Sequence, residues 1–261
     1  MAKNMHSGRR ALSVLSALVL TGALGLAFVP AQAQDFLGSK TVTGSGQVGS
    51  VKRELGAFHR VSVDLPCKIE LIQGSSEGIA IEAEQNLLPH IETSIKNGQL
   101  YVRVTKGITL SSRSPIKVTL NARNLDSLAL TGGADLSAAR LQSPKLNSSI
   151  AGSGSITIKD LQSKDLSVSV AGSGRFEAQG STDAMDISIA GSGDISAPRL
   201  SAQDVSISIA GSGDATVWAR KALSVNIVGS GNVRYYGEAT RGNSSTVGSG
   251  SVKQLGANPP G

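Results

Sequence analysis

Chemically reactive side chains are scarce in this sequence. Cys67 is the only cysteine among the 261 residues, and an intramolecular disulfide needs two. The three histidines are His6, His59 and His90, and the first lies in the N-terminal leader described below. This is a poor inventory for metal or nucleophilic chemistry. We therefore expect no disulfide framework, no metal and no cofactor, and a fold stabilised by burial and backbone pairing.

The sequence also lacks a strong charge imbalance once its leader is set aside. Lys3, Arg9 and Arg10 precede an uncharged apolar run over residues 11–29, and Ala31-Gln32-Ala33 follows as a small-x-small cleavage site. This pattern is typical of a signal peptide over residues 1–33, with an uncleaved anchor as the alternative. Removing its three basic residues lowers the formal charge from +6 to +3.

These two observations limit the location and the partners. A signal peptide predicts an exported protein, in the periplasm, at the cell surface or secreted. A charge of +3 indicates no special partner, so we expect no nucleic-acid binding, and no membrane span remains after signal cleavage.

Glycine-rich corners recur through the second half of the chain. Six Ala/Val-Gly-Ser-Gly segments have first glycines that are 18 to 20 residues apart, and each joins two alternating apolar runs. A period of this length is the signature of a solenoid. Glycine suits such corners because they need positive φ or leave no room for a Cβ atom. The corner glycines are Gly152, Gly154, Gly172, Gly174, Gly191, Gly193, Gly211, Gly213, Gly229, Gly231, Gly248 and Gly250.

Aligning the corners separates inward from outward residues by the two-residue period of a strand. Three columns are predicted to point inward. They are Leu128, Ser148, Val168, Ile187, Ile207, Val225 and Ser244; Leu130, Ile150, Val170, Ile189, Ile209, Ile227 and Thr246; and Leu136, Ile156, Phe176, Ile195, Ala215, Val233 and Val252. One column is predicted to point outward, as a polar surface or an adhesive face: Ala129, Ser149, Ser169, Ser188, Ser208, Asn226 and Ser245.

The two ends of the chain are less regular. Residues 34–50 are predicted to form a flexible Gly-rich leader, and residues 51–255 the β-helix domain, with irregular strands up to Leu130. Residues 85–95 are the only helix candidate, and Pro89 argues against a long one. Ser244 and Thr246 replace aliphatic residues in the last coil, which fits a terminal cap, and residues 256–261 are predicted to be a disordered tail.

Several segments resemble a known bacterial family, the auto-transporter adhesins with a head GIN domain. They are Arg53-Glu-Leu-Gly-Ala-Phe58 with the strand His59 to Val63, Asn97-Gly-Gln-Leu100, Ile116 to Leu120 with Leu125-Asp-Ser-Leu128, and the Gly-Ser-Gly corners. Thr131-Gly-Gly-Ala134 departs from the corner pattern. The resemblance implies an all-β protein, a single right-handed parallel β-helix (β-solenoid) with 18–20-residue coils, on the cell envelope. The family has no established catalytic residues to carry over.

Two enzyme motifs match in their letters but not in their surroundings. Gly74-Ser-Ser-Glu-Gly78 fits a nucleophile elbow, yet an alternating strand follows where a helix is needed. We interpret it as a hairpin turn. Gly44-Ser-Gly-Gln-Val-Gly49 fits a dinucleotide-binding loop, but no helix pattern follows it either.

A polar column follows the corners and includes Asp194 and Asp214. In adjacent coils these carboxylates are predicted to lie about 5 Å apart, a distance at which they share a cation or form a lyase-like pair. Alternatively, Asp and Asn after a glycine corner hydrogen-bond the turn itself. Arg175 interrupts the column, and the calcium-binding nonapeptide of other solenoids is absent.

An aromatic pair stands on the outer surface of the last coils. Val217 and Tyr235 are predicted to point inward, so that Trp218 and Tyr236 point outward, in a column that begins with Pro198. Arg220 and Arg234 lie nearby in the sequence. One hypothesis is a platform on which sugar rings stack, and the other is an aromatic ladder that only stabilises neighbouring coils.

The sequence thus predicts a non-enzymatic, adhesin-like envelope protein that presents a β-helix face to a glycan, an envelope or surface protein, or a second copy of itself. The alternatives are a carbohydrate-active enzyme of the polysaccharide lyase or hydrolase kind and a structural spacer. The enzyme needs a cluster of carboxylates and cations on one face, for which only Asp194 and Asp214 are candidates.

Overall fold

A computed structural model describes residues 39–259 of the chain. The predicted signal peptide, residues 1–33, lies outside these residues. Within residues 39–259, no helix is long and apolar enough to cross a membrane.

Nineteen strands account for nearly all of the regular structure. They are β1 (Lys40–Thr43), β2 (Val48–Glu54), β3 (Arg60–Asp64), β4 (Lys68–Gln73), β5 (Gly78–Glu84), β6 (Ile91–Lys96), β7 (Gln99–Val104), β8 (Ile108–Ser111), β9 (Lys117–Ala122), β10 (Ser127–Gly132), β11 (Asp135–Ala138), β12 (Leu141–Gly152), β13 (Ser155–Gly172), β14 (Arg175–Gly191), β15 (Asp194–Gly211), β16 (Asp214–Gly229), β17 (Asn232–Tyr236), β18 (Thr240–Gly248) and β19 (Ser251–Gly256). One 3₁₀ turn, Leu88–His90, falls in the predicted helix candidate and contains Pro89.

The fold is a parallel β-solenoid, as predicted, and it has about six turns. Each strand from β12 to β16 pairs in parallel with the next, and the corner glycines align in one column. That column runs through Gly132, Gly152, Gly172, Gly191, Gly211, Gly229 and Gly248. The Thr131-Gly-Gly-Ala134 corner therefore keeps the register of the others.

The column of corners separates two faces of the outer surface. We call the first the serine face: the outer side of β7, β3, β10, the second halves of β12–β16, and β18. Its central column is Tyr101, Ser62, Ala129, Ser149, Ser169, Ser188, Ser208, Asn226 and Ser245. We call the second the charged face: the outer side of β9, β4, β11, the first halves of β13–β16, β17 and β19. Its first column is Lys117, Lys68, Asp135, Ser155, Arg175, Asp194, Asp214, Asn232 and Ser251.

The predicted inward columns form one continuous core. Every member from the coil of β10 to that of β16 is buried, including Ser148, and Phe176 is among the largest buried side chains. The members in the last coil differ, because Ser244 and Thr246 are exposed and Val252 is half-buried. The serine column from Ser149 to Ser245 is exposed, as predicted.

Two corner positions require glycine for different reasons. Gly172 has φ +115°, and a Cβ atom there would lie 2.7 Å from the carbonyl oxygen of Gly152 in the coil beneath. Gly213 does not have positive φ, but its Cβ would lie 2.6 Å from Cγ2 of Ile189. The first glycine of a corner is thus required both for its positive φ and for close stacking of the coils. The last glycine is required for close stacking alone.

The N-terminal strands do not stack in sequence order. β3 lies between β10 and β7, and β4 lies between β11 and β9, so the later strands β7 and β9 are further from the regular coils. Antiparallel strands then cover this end, with β6 on β7, β5 on β9 and β2 on β5.

Part of the predicted flexible leader is paired. β1 pairs in parallel with β8, and the first residues of β2 pair with β5. The glycines of this segment indicated flexibility. Its pairing partners lie about 35 to 70 residues away in the chain, as in Val48 with Glu84 and Lys40 with Ile108. The local composition of residues 34–50 does not reveal partners at that distance.

Candidate binding surface

The predicted aromatic pair lies on the charged face near the C-terminal end of the stack. Trp218 and Tyr236 are register partners in adjacent coils, and both side chains are half-buried. Val217 and Tyr235 point inward and are buried. The alternation in the sequence therefore placed all four side chains correctly.

Gly237 in the next coil lies close to the backbone of Ala219 and to the indole of Trp218. It has φ +104°, and a Cβ atom there would lie 3.3 Å from Cδ1 of Trp218 and would clash with the carbonyl oxygen of Ala219. Only a glycine allows the backbone to come this close. Sequence reasoning missed Gly237, although a glycine directly after the Tyr235-Tyr236 strand was the signal for it.

An open depression of about 450 Å³ lies beside this indole. Trp218 and Arg220 line it together with Gly237, Glu238, Ala257 and Asn258. Two of the predicted site residues thus share one depression, and Glu238 and Asn258 add polar groups that sequence reasoning did not identify. Tyr236 adjoins it as the register partner of Trp218.

Arg234 has a different role from Arg220. Its Nη1 lies 3.5 Å from Oδ2 of Asp214 in the preceding coil, so it forms an ion pair along the charged face. Oδ1 of the same carboxylate accepts hydrogen bonds from the backbone N–H and the side-chain amide of Asn232, at 2.9 and 3.0 Å. Arg234 therefore helps to hold the coils together on the strand that carries Tyr236.

Pro198 does not belong to the aromatic column. The register shifts between Ala197 and Ser201 when β15 pairs with β16, and Ser201 is the residue beside Trp218. The coil of β15 has extra residues at this point, and an alignment based on the glycine corners alone does not detect a bulge that lies half a coil away.

Asp194 and Asp214 are register partners, as the sequence predicted. Each is engaged by another group: Nη2 of Arg175 lies 3.3 Å from Oδ2 of Asp194, and Asp214 binds Asn232 and Arg234 as described above. In the part of the chain that the structure describes, no three His, Cys, Asp or Glu side chains lie close enough together to hold a metal ion. The arrangement fits a ladder of ion pairs and hydrogen bonds between coils.

Two further depressions follow the charged face toward the N-terminal end. One of about 270 Å³ includes Thr157, Lys159, Glu177 and Pro198 in its lining. The other, of about 540 Å³, includes Lys68, Glu70 and Lys117. Both contain Thr157, so they adjoin each other. The charged face thus combines concave places with hydroxyl, carboxylate and cationic groups.

The remaining motif residues have structural surroundings. Residues 74–78 connect β4 to β5, but β5 pairs with β9 and β2 and not with β4. The predicted hairpin is therefore wrong: the turn joins two strands that do not pair with each other. Cys67 is buried, and burial, with a smaller contribution from Asp135, raises the pKa of its thiol to about 12. A thiol in this state is not a nucleophile at neutral pH.

Solved structures of other bacterial proteins share this fold. A putative adhesin from Bacteroides fragilis is 22% identical, with a TM-score of 0.77 over 82% of this chain and 100% of that one. A putative lipid binding protein from Parabacteroides distasonis is 25% identical, with a TM-score of 0.71 over 83% and 100% of the two chains. A putative adhesin from Parabacteroides merdae is 24% identical, with a TM-score of 0.66 over 83% and 99%.

No curated protein matches the chain. A family profile does match it, over residues 57–239, which include strands β3 to β17. This range contains most of the segments on which the resemblance in the sequence was based, except for residues 53–56 and the last corner. The chain therefore belongs to the family described as putative auto-transporter adhesin, head GIN domain.

Proposed function

We propose that this protein is an exported, non-enzymatic binding protein of the adhesin kind, and that it binds carbohydrate on its charged face. The observation that carries the proposal is the half-buried pair of Trp218 and Tyr236 beside the depression that Arg220 lines. Aromatic rings with polar edges suit the apolar faces and hydroxyl groups of sugar rings.

The half-buried position of Trp218 favours a role in binding. A ring that is already held in place loses little side-chain freedom when a ligand stacks on it, so less of the binding energy is lost to ordering. An aromatic ladder that serves stability alone does not need a depression with polar groups at its edge. The membership in an adhesin-named family is consistent with this function.

The contacts of Asp194 and Asp214, the pair on which the enzyme alternative depends, favour binding over hydrolysis. A glycoside hydrolase needs two carboxyl groups that are free to act on a glycosidic bond as acid and as base or nucleophile. Asp194 and Asp214 instead accept contacts from Arg175, Asn232 and Arg234. Incubation of the protein with acidic polysaccharides is expected to leave their length unchanged, and shortened products would favour the enzyme.

The test is a glycan array followed by calorimetric titration of the glycans that bind. Trp218→Ala is expected to weaken binding by roughly tenfold or more, because stacking of a ring on an aromatic face contributes on the order of 1 kcal/mol or more beyond area burial. Trp218→Phe keeps an aromatic face and is expected to retain most of the affinity.

Ser208→Ala, on the exposed serine face, is the matched control and is expected to bind like the parent protein. Thermal melting of each variant separates loss of binding from loss of folding. Unchanged glycan binding by folded Trp218→Ala would show that the aromatic pair is a stabilising ladder and not a binding site.

A further inference from the structure

The last coil of the solenoid has an unpaired edge. β18 pairs with β16 and β19 pairs with β17, and neither strand has a partner on its other side within residues 39–259. All nine residues of β18 are exposed. An edge of this kind offers a row of unpaired backbone N–H and C=O groups to another strand.

The opposite end of the same stack ends in antiparallel strands instead of a parallel coil. We call the strands under the serine face and those under the charged face the two sheets of the stack. At this end β6 pairs with β7 in the first sheet, β5 pairs with β9 in the second, and β2 pairs with β5. Arg53 on β2 joins the two sheets across this end. Its Nη1 donates hydrogen bonds to the carbonyl oxygen of Ile91 and to Oγ1 of Thr93 on β6, at 3.0 and 2.8 Å.

Exposed apolar side chains collect at the unpaired end. Val228 and Val247 are register partners in the last two coils and are 60% and 64% exposed, while earlier coils have alanine at this position, as in Ala190 and Ala210. Leu255 on β19 is 40% exposed. Val247 on β18 and Leu255 on β19 thus place one exposed apolar side chain on each strand of the edge.

The residues at the inward positions of the last coil suit an edge to which another molecule binds reversibly. Ser244 and Thr246 are short and hydroxylic, so they tolerate water when the edge is free and leave room for backbone pairing when it is covered. Arg241 does not project from the edge, because its Nε donates to the hydroxyl of Tyr235 at 2.9 Å and its guanidinium lies 5.3 Å from that ring.

We propose that the edge formed by β18 and β19 binds a second copy of this chain, end to end, in an antiparallel arrangement. An occupant must cover two strand edges at once, and a second copy offers two strands with the same separation. Antiparallel covering strands already occur on both sheets at the other end of this fold, so the sheets accommodate them. A two-fold axis makes the contact self-complementary.

The same argument predicts that association stops at two. A contact with two-fold symmetry occupies the β18 and β19 edges of both copies, so neither copy can add a third through the same surface. The last coil, β18 with β19, spans residues 240–256. That is fewer residues than the roughly 20–30 per partner of a standard stable interface. We therefore expect a weak dimer whose population rises with concentration.

Sedimentation of the mature chain over a wide concentration range tests the proposal, and a monomer–dimer equilibrium without larger species is expected. Val247→Lys places two like charges at the shared edge and is expected to raise the dimer Kd by about tenfold or more. Ile72→Lys is the matched control, since Ile72 is 43% exposed on β4, away from this end, and it is expected to leave the Kd unchanged.

Hydrogen exchange at low and high protein concentration identifies the edge independently of any variant. Amides of β18 and β19 are expected to become more protected as concentration rises, while those of β2 and β6 do not change. A monomer at all concentrations, a growing filament, equal effects of both lysine variants, or concentration-dependent protection at β2 and β6 would each overturn the proposal.

Discussion

The serine face and the charged face are built on the same coils but differ in what they present to solvent. Both are supported by buried aliphatic columns and the same glycine corners. The serine face repeats short side chains from coil to coil. The charged face varies more along the stack and carries ion pairs, depressions and the aromatic pair. The inward residues and corners thus specify the solenoid, and the outward residues are free to differ between the two faces.

The largest expected effect comes from breaking the corner that joins the two faces. Gly213→Val places side-chain atoms against Ile189 and the backbone of Gly193, which cannot move away without separating two coils. We expect a loss of about 4 kcal/mol or more in the free energy of unfolding, or failure to fold. Chemical denaturation followed by circular dichroism measures it.

Gly133→Ala is the control for this substitution. Gly133 belongs to the first corner, its φ is not positive, and a Cβ atom there has no neighbour within 4 Å. We expect a change of less than about 0.5 kcal/mol, as for an ordinary surface position. Equal effects at Gly133 and Gly213 would mean that close stacking is not the reason for glycine at the corners.

A smaller effect separates the outward residues of the two faces. Asp214→Ala on the charged face removes the hydrogen bonds from Asn232 and the ion pair with Arg234. We expect a loss of about 1–2 kcal/mol, reduced by partial exposure to solvent. Ser208→Ala on the serine face is expected to change stability by less than about 0.5 kcal/mol. Similar losses for both would remove the energetic difference between the faces.

The smallest expected effect lies beneath the serine face, at Ser148. Its hydroxyl is buried without a hydrogen-bond partner, between Leu128 and Val168 of the neighbouring coils. Ser148→Val removes the unsatisfied group and restores the aliphatic column, so a gain of about 1 kcal/mol is expected in chemical denaturation. Ser149→Val, on the outer side of the same strand, is the control and is expected to be near neutral. A loss of stability at Ser148→Val would indicate that the site has no room for the added methyl groups.

The regular coils were predictable from the sequence because two strong local rules apply to them. The glycine corners recur at almost constant spacing, and side chains in a strand alternate between its two sides. Together these rules placed the inward columns, the serine column, and the pair of Trp218 and Tyr236. The same alignment failed at Pro198, because the bulge in β15 adds residues between corners without changing the corners themselves.

The N-terminal end was not predictable in this way. Alternation identified its strands but not their partners, and the later strands β7 and β9 stack outside β3 and β4. Pairing between distant segments depends on which edges remain to be covered, and no local pattern records that. For the same reason, the strands within the predicted leader and the position of Gly237 beside Trp218 became visible only in the folded chain.

Hydroxyl-radical footprinting with a bound glycan tests most directly whether the charged face is the binding surface, because the chain has suitable probes on both faces. Trp218 and Tyr236 lie on the charged face, and Tyr101 lies on the serine face. We expect the ligand to slow the oxidation of Trp218 and Tyr236 and to leave that of Tyr101 unchanged. Protection of Tyr101, with Trp218 and Tyr236 still oxidised at the rate of the free protein, would place binding on the serine face and contradict this account.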